Sequence, residues 1–258
     1  IKVLDALNPQ SFEDFILEDF DASRIGLWSA HLDLSLGDWR AEIALIPDRT
    51  VHYVPEPGAW FELTAPRYRF GQTDPSINLQ TRARGADDDT GTLGLRISRY
   101  IGGLDVQAVA ISGTDFEPLA RLTVANGNPV LTTYHERRRL LGVSLGGSFS
   151  AFAWRAEMSF SPDRYFSVRQ GNMLDHVRLD QFRGALGFDI NGPWGIFVNV
   201  QYLHDQLDDA PDGTTRPEEE RIVTAFLRKR FAYDTFDVEL RGYRSLEFDD
   251  QLLRASVE

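Results

Sequence analysis

Apolar and polar residues alternate strictly between Trp28 and Leu45. Trp28, Ala30, Leu32, Leu34 and Leu36 share one side, and Ser29, His31, Asp33 and Ser35 share the other. After Gly37-Asp38 the alternation resumes, with Trp39, Ala41, Ile43 and Leu45 against Arg40, Glu42 and Ala44. Successive side chains of a strand point to opposite faces, whereas a helix would scatter these residues around its circumference. The stretch is therefore predicted to be a β-hairpin. Its first arm, Trp28 to Leu36, is nine residues long. At about 3.3 Å per residue and a tilt of about 40°, that arm rises roughly 23 Å, close to the apolar band of an outer-membrane barrel. Strands of soluble sandwiches average about five or six residues. A soluble barrel with its apolar face inward would show the same alternation.

The pattern recurs along the chain. Leu93, Leu95 and Ile97 oppose Gly94, Arg96, Ser98 and Tyr100, and Gly102-Gly103 leads to Leu104, Val106, Ala108 and Ala110, opposite Asp105 and Gln107. Arg139, Leu141, Val143 and Leu145 oppose Arg138, Gly142 and Ser144. A glycine-serine turn near 146–150 precedes Phe152, Trp154, Ala156, Met158 and Phe160, which alternate with Ala153, Arg155, Glu157 and Ser159. Phe182 to Ile190 and Trp194 to Tyr202 flank Asn191-Gly192-Pro193, and Val223 to Phe231 and Phe236 to Tyr243 flank Tyr233-Asp234. An eleventh strand is expected after a loop near 245–250. Longer polar connections, about 47–90, 112–133, 161–176 and 204–220, separate the pairs. The first is proline-rich and is expected to be a large loop with a short strand at Trp60–Leu63. Short turns alternating with long loops are the asymmetry of outer-membrane barrels. Trp28, Trp39, Trp154, Trp194, Tyr202 and Phe231 are expected at strand ends, as an interfacial girdle requires.

Composition narrows the classes. A net charge of −12 and a pI near 4.9 argue against a nucleic-acid partner. Cysteine is absent, which excludes disulfides and thiolate metal sites. No apolar run approaches the roughly 18 residues of a membrane helix, although barrel strands escape that test. The fold expected is all-β, a transmembrane antiparallel up-and-down β-barrel. Residues 1–258 are expected to form a single barrel domain of about ten to eleven strands, incomplete at both ends and part of a larger barrel. Residues 1–23, with Asn8-Pro9 and an acidic-aromatic stretch, read as a loop or mouth segment leading into the first strand.

Several motifs add a resemblance. They are Asp5-Ala-Leu-Asn-Pro9, Phe15-Ile-Leu-Glu-Asp-Phe-Asp21 leading to Arg24, Leu36-Gly-Asp-Trp39, Ile46-Pro-Asp48, Pro57-Gly58, Arg137-Arg138 through Leu141-Gly142, Trp154-Arg-Ala-Glu157 and Val198-Asn-Val-Gln-Tyr202. On these the chain resembles a porin-like outer-membrane β-barrel family of Gram-negative bacteria known as a domain of unknown function, and it is more distantly similar to alginate-export porins. The resemblance implies passage of a solute or lipid across the outer membrane. The partners it implies are outer-membrane lipids, lipopolysaccharide, further strands, and a partner lipoprotein or export complex.

Catalytic readings are weak. Ser29, His31 and Asp33 have the composition of a triad, but residues i and i+2 of a strand lie about 6.5–7 Å apart, beyond a direct nucleophile–base hydrogen bond. Asp87-Asp88-Asp89, Asp208-Asp209 and Glu218-Glu219-Glu220 lack the spaced ligands and central glycine of an EF-hand and read as solvated loop tips. Histidines 31, 52, 135, 176 and 204 have no zinc-ligand spacing. No catalytic residue, metal or cofactor is expected. The function read from the sequence is a channel or exporter whose selectivity comes from pore width and lumen charge. Its lumen is expected to be lined by Arg40, Glu42, Arg96, Asp105, Arg155, Glu157, Arg183, Asp189, Arg228, Glu239 and Arg241. Both signs occur, so weak ion selectivity follows. The alternatives are a plugged structural barrel that scaffolds a partner complex, an outer-membrane hydrolase, and a soluble lipid-binding barrel. Within Val223–Tyr243, a turn centred between Tyr233 and Asp234 would oppose Arg230 to Asp237 and Arg228 to Glu239 as ion pairs.

Overall fold

The computed structural model describes residues 4, 6–13, 23–55, 59–60, 62–63, 65, 67, 80–83, 91–126, 128–171, 173–232 and 235–257. The acidic run 87–89, most of segment 1–23 and the Tyr233-Asp234 turn lie outside them. The chain is all-β. Eleven strands form one antiparallel sheet. These are β1 (Ala30–Leu36), β2 (Trp39–Ile46), β4 (Thr92–Ile101), β5 (Leu104–Thr114), β8 (Arg137–Phe149), β9 (Phe152–Gln170), β10 (Met173–Asn191), β11 (Ile196–Leu207), β12 (Glu219–Phe231), β13 (Phe236–Ser245) and β14 (Gln251–Val257). Each pairs with the next in that order, the up-and-down meander expected from the alternation. Among the described residues, β1 and β14 are edges and do not pair with each other. The remaining strands, β3 (Gln80–Ala83), β6 (Leu119–Ala125) and β7 (Asn128–Tyr134), form a separate small sheet in the order β3-β7-β6.

The short turns are enforced locally. Gly37 sits at φ +63°, and Gly102 and Gly103 at +56° and +89°, a left-handed geometry that glycine adopts without strain. At the third turn, expected near 146–150, β8 runs on through Gly146-Gly147 to Phe149 and Ser150 takes φ +55°. Trp194 belongs to a single 3-10 turn, Pro193–Gly195, so β11 begins two residues later than the alternation implied.

Burial in the large sheet is inverted relative to a soluble protein. The apolar face is open, with Leu32 at 52% exposure, Leu141 at 56%, Met158 at 64% and Phe182 at 51%. The middle of the polar face is covered, with Ser144 at 6%, Glu157 at 7% and Ser159 at 5%, whereas Asp33, Arg40 and Arg96 on its β1–β4 side are exposed. Leu34, Leu186 and Leu240 are exposed, and Ile43, Trp154, Ala156 and Val198 are half-buried. None of them joins a core cluster. Aromatic side chains crowd the short-turn rim: Trp39, Phe149, Phe152, Phe231 and Phe236 flank turns, and Trp194 lies within one. Tyr202 does not belong to a girdle at a strand end, because it sits inside β11 between Leu186 and Val223.

The hydrophobic core lies on the long-loop side. Residues 161–176 are not a loop. β9 and β10 run on through them, pairing Arg164 with Leu179 and Gln170 with Met173 across a turn at Gly171 (φ +60°). Pro162 masks this in the sequence. It precedes a bulge where Asp163 takes φ +48° and its N–H donates to Asp180 Oδ1 at 2.9 Å, so the ladder loses little. Ala120, Leu131 and Leu174 form one cluster, and Phe166, Leu179 and Leu207 another. Connection 112–133 contributes the β6–β7 hairpin to this cap. Residues 60, 62 and 63 form no strand.

Candidate functional site

All eleven residues expected to line a lumen fall on one face of the sheet, the polar one, by parity and by register. They do not converge on one point. Along β1, β2 and β4 they form a charge ladder. Arg40 is bound by Asp33 (Nε to Oδ1 at 3.0 Å) and lies 3.2 Å from Glu42, which in turn accepts a hydrogen bond from Arg96. In mid-sheet Asp105 accepts from Gln107 at 2.8 Å, and Asp189 from Asn199 at 2.6 Å. Arg155 and Glu157 border a cavity of about 440 Å³ together with His31, Arg96 and Gln107. Along β12 and β13, Arg230 faces Asp237 at 3.3 Å, as expected. Arg228 and Glu239 are also in register, yet Glu239 is held by Arg241 at 2.8 Å, and Arg228 lies 5.7 Å from the Phe197 ring. The expected Arg228–Glu239 ion pair is replaced by one within β13, because a long guanidinium reaches its same-strand neighbour as readily as the residue opposite.

The N-terminal stretch enters this face. Leu4 N–H donates to Glu157 Oε2 at 3.3 Å. The Leu4 and Leu7 side chains lie over Gly142 and Gly94, where an added Cβ would collide with Leu4 and stand 3.2 Å from Leu7. Pro9 is fully buried. Glycine at 94 and 142 thus opens room on the polar face for this stretch. At its far end Gln10 N–H donates to His52 Nδ1 at 2.8 Å, and the His52 ring packs edge-on against Phe12 and Phe116. Burial pushes His52 down to about 4, against the pull of Asp115 and Glu117, so the ring is neutral at pH 7.

A second polar centre, at the long-loop end, was not singled out by sequence reasoning. Arg164, 4% exposed at its side chain, donates to both oxygens of Asp115 at 2.5 and 2.9 Å. It also donates to Glu117 Oε2 at 2.9 Å and to Gln181 Oε1 at 2.6 Å. Gln181, fully buried, donates on to Asp205 at 2.6 Å, and Arg183 and Arg216 flank Asp205 at 3.4 and 3.5 Å. Burial alone would raise the Asp115 carboxyl. The Arg164 and Arg138 charges outweigh it and hold that carboxyl well below the usual range. Only Arg183 of this centre was among the expected residues. The signal available was Arg137-Arg138-Arg139 opposite Asp115 and Glu117, but nothing in one sequence shows that these segments meet.

Ser29 and His31 are closer than strand spacing implied. His31 Nε2 lies 3.0 Å from Ser29 Oγ, because two side chains on one face can lean together. Asp33 is engaged by Arg40 and leaves the pair without a carboxylate to orient the imidazole. Among the described residues no group of three or more His, Asp or Glu side chains is arranged to hold a metal ion.

No family model matches the chain, and no curated protein does. Among solved structures it is similar to the outer membrane channel DcaP of Acinetobacter baumannii, at 11% identity and a TM-score of 0.48, over 90% of this chain and 60% of that one. The chain therefore spans less than two thirds of that channel's length. The family resemblance rests on the motifs quoted for it.

Proposed function

We propose that this chain forms part of the wall of an outer-membrane β-barrel and serves as a channel or exporter, passing a solute or lipid-like substrate along the polar face. One observation carries the reading: apolar side chains face out and polar ones face in along the same strands. A soluble monomer rarely exposes a contiguous apolar patch above a few hundred Å². A bilayer removes that penalty, and the aromatic rim at the short turns fits a headgroup boundary. Outer-membrane lipids and lipopolysaccharide are then the direct neighbours of Leu141, Leu186 and Leu240. In hydrocarbon, the edges of β1 and β14 need further strands, from this protein or a partner, to satisfy their backbone groups. Transport rests on the lumen set Arg40 to Arg241, with no bond chemistry. Membership of the porin-like family named above belongs to the same proposal.

The Leu4–Gln10 stretch favours a second reading, a plugged barrel that scaffolds a partner complex. Planar-bilayer recording separates the two. The channel reading expects ohmic single-channel steps with weak cation–anion preference from the full-length protein, and larger steps after deletion of residues 1–10. If neither form conducts, transport is excluded and the scaffold reading stands.

A further inference from the structure

We propose that the cavity at the long-loop end is a binding site for a small oxyanion, a solute bearing a carboxylate or phosphate group. The cavity is about 220 Å³, and five guanidinium side chains line it: Arg67, Arg138, Arg164, Arg183 and Arg216. Among the described residues, two carboxylates, Asp115 and Glu117, share the lining. With His52 neutral, the described lining residues carry five positive charges less two negative, +3, in a chain whose net charge is −12. Asp205 and Glu220 stand behind the wall, 3.4 to 4.0 Å from Arg67, Arg183 and Arg216, and Glu117 lies 3.4 Å from Arg216. Arg164, by contrast, is clamped by Asp115 at 2.5 Å and serves as scaffold.

Arg138 points to the ligand. Its Nε donates to Ser161 Oγ at 3.1 Å, while its Nη2 is buried with no hydrogen-bond acceptor among the described residues. A buried guanidinium N–H without an acceptor is rare, and the lining here offers mostly further donors. Carboxylate or phosphate oxygens entering the cavity would accept from that Nη2 and from neighbouring guanidinium groups, the forked geometry arginine favours. Ala6, Asn8 and Gln10 of the N-terminal stretch border the same cavity. Binding here needs no conduction, so the site stands or falls separately from the channel reading.

The test is calorimetric titration of the full chain in detergent micelles at low ionic strength, with succinate in one arm and inorganic phosphate in the other. Saturable binding is expected in at least one arm, and the arm that binds names the group recognised. Arg138→Gln should weaken it at least tenfold. Arg139→Gln, which removes the adjacent charge on the opposite face, should leave it within twofold. If Arg138→Gln does not fold, Arg138→Lys keeps the charge but loses the fork and should bind at least threefold more weakly. No saturable heat with either anion, or equal affinity in wild type and the Arg138 variant, overturns the site.

Discussion

Asp115 and Arg164 show what a buried pair demands. Each is nearly enclosed, and each is the other's closest charged partner. Arg164→Gln should destabilise the protein by about 3–5 kcal/mol, since it leaves the buried Asp115 carboxylate without its main cation. The shift of the urea midpoint in micelles measures this, and a change under 1 kcal/mol would contradict it. The Asp115 carboxyl is depressed in the fold, so its contribution is complete at neutral pH. That contribution is lost only as pH falls below the ordinary carboxylate range toward the lowered folded value. His52 acts in a higher window. Its folded value near 4 lies below the ordinary 6.5, so the neutral ring stabilises the fold above about 6.5 and this support drains away down to about 4. Protonation also removes the acceptor of the Gln10 N–H. Exchange of the Gln10 amide should therefore quicken, beyond its intrinsic pH trend, between pH 7 and pH 4.5, and His52→Gln should abolish the difference. That the eleven charged residues share one face of the sheet was legible, because alternation encodes parity directly. Their partners were not: Asp33 to Arg40 and Glu239 to Arg241 depend on how far each side chain leans.

At the scale of elements, the hairpin of β12 and β13 was readable to the residue. Its opposed numbers sum as expected, with Phe231 facing Phe236 and Ile222 facing Ser245. A double-mutant cycle on Arg230 and Asp237 should give a coupling of about 0.2–1 kcal/mol, and the same cycle on Arg228 and Glu239 should be additive. Additivity at the first pair or strong coupling at the second would contradict the observed contacts. Facing is tested by Val198→Arg against Gln201→Arg on one strand. The first should cost about 2–4 kcal/mol near the bilayer midplane, whereas the second, on the covered face, should cost much less. The long-loop cap was hidden for a physical reason. Pro162 reads as a strand breaker unless a bulge follows it. Within connection 112–133, Asn126-Gly127 between Leu122-Thr123-Val124 and Val130-Leu131-Thr132 is the hairpin signal that the β6–β7 pairing realises.

At the scale of the whole molecule, the core and the sheet obey different solvents. The cap buries Leu174, Phe166 and Leu207 as a soluble protein would, while the sheet turns Leu32, Leu141 and Phe182 outward. The central claim is that this outer face meets lipid. Because the chain has no cysteine, single-cysteine variants can carry a spin label without background. Labels at Leu141, Leu186 and Leu240, and at Ser144 and Gln201, would be compared in protein reconstituted into phospholipid vesicles. The measurement is collision with oxygen, which concentrates in hydrocarbon, against a water-soluble nickel chelate. High oxygen and low nickel access at 141, 186 and 240, with the opposite balance at 144 and 201, is the predicted result; nickel access at 141, 186 and 240 equal to or above that at 144 and 201 would contradict it.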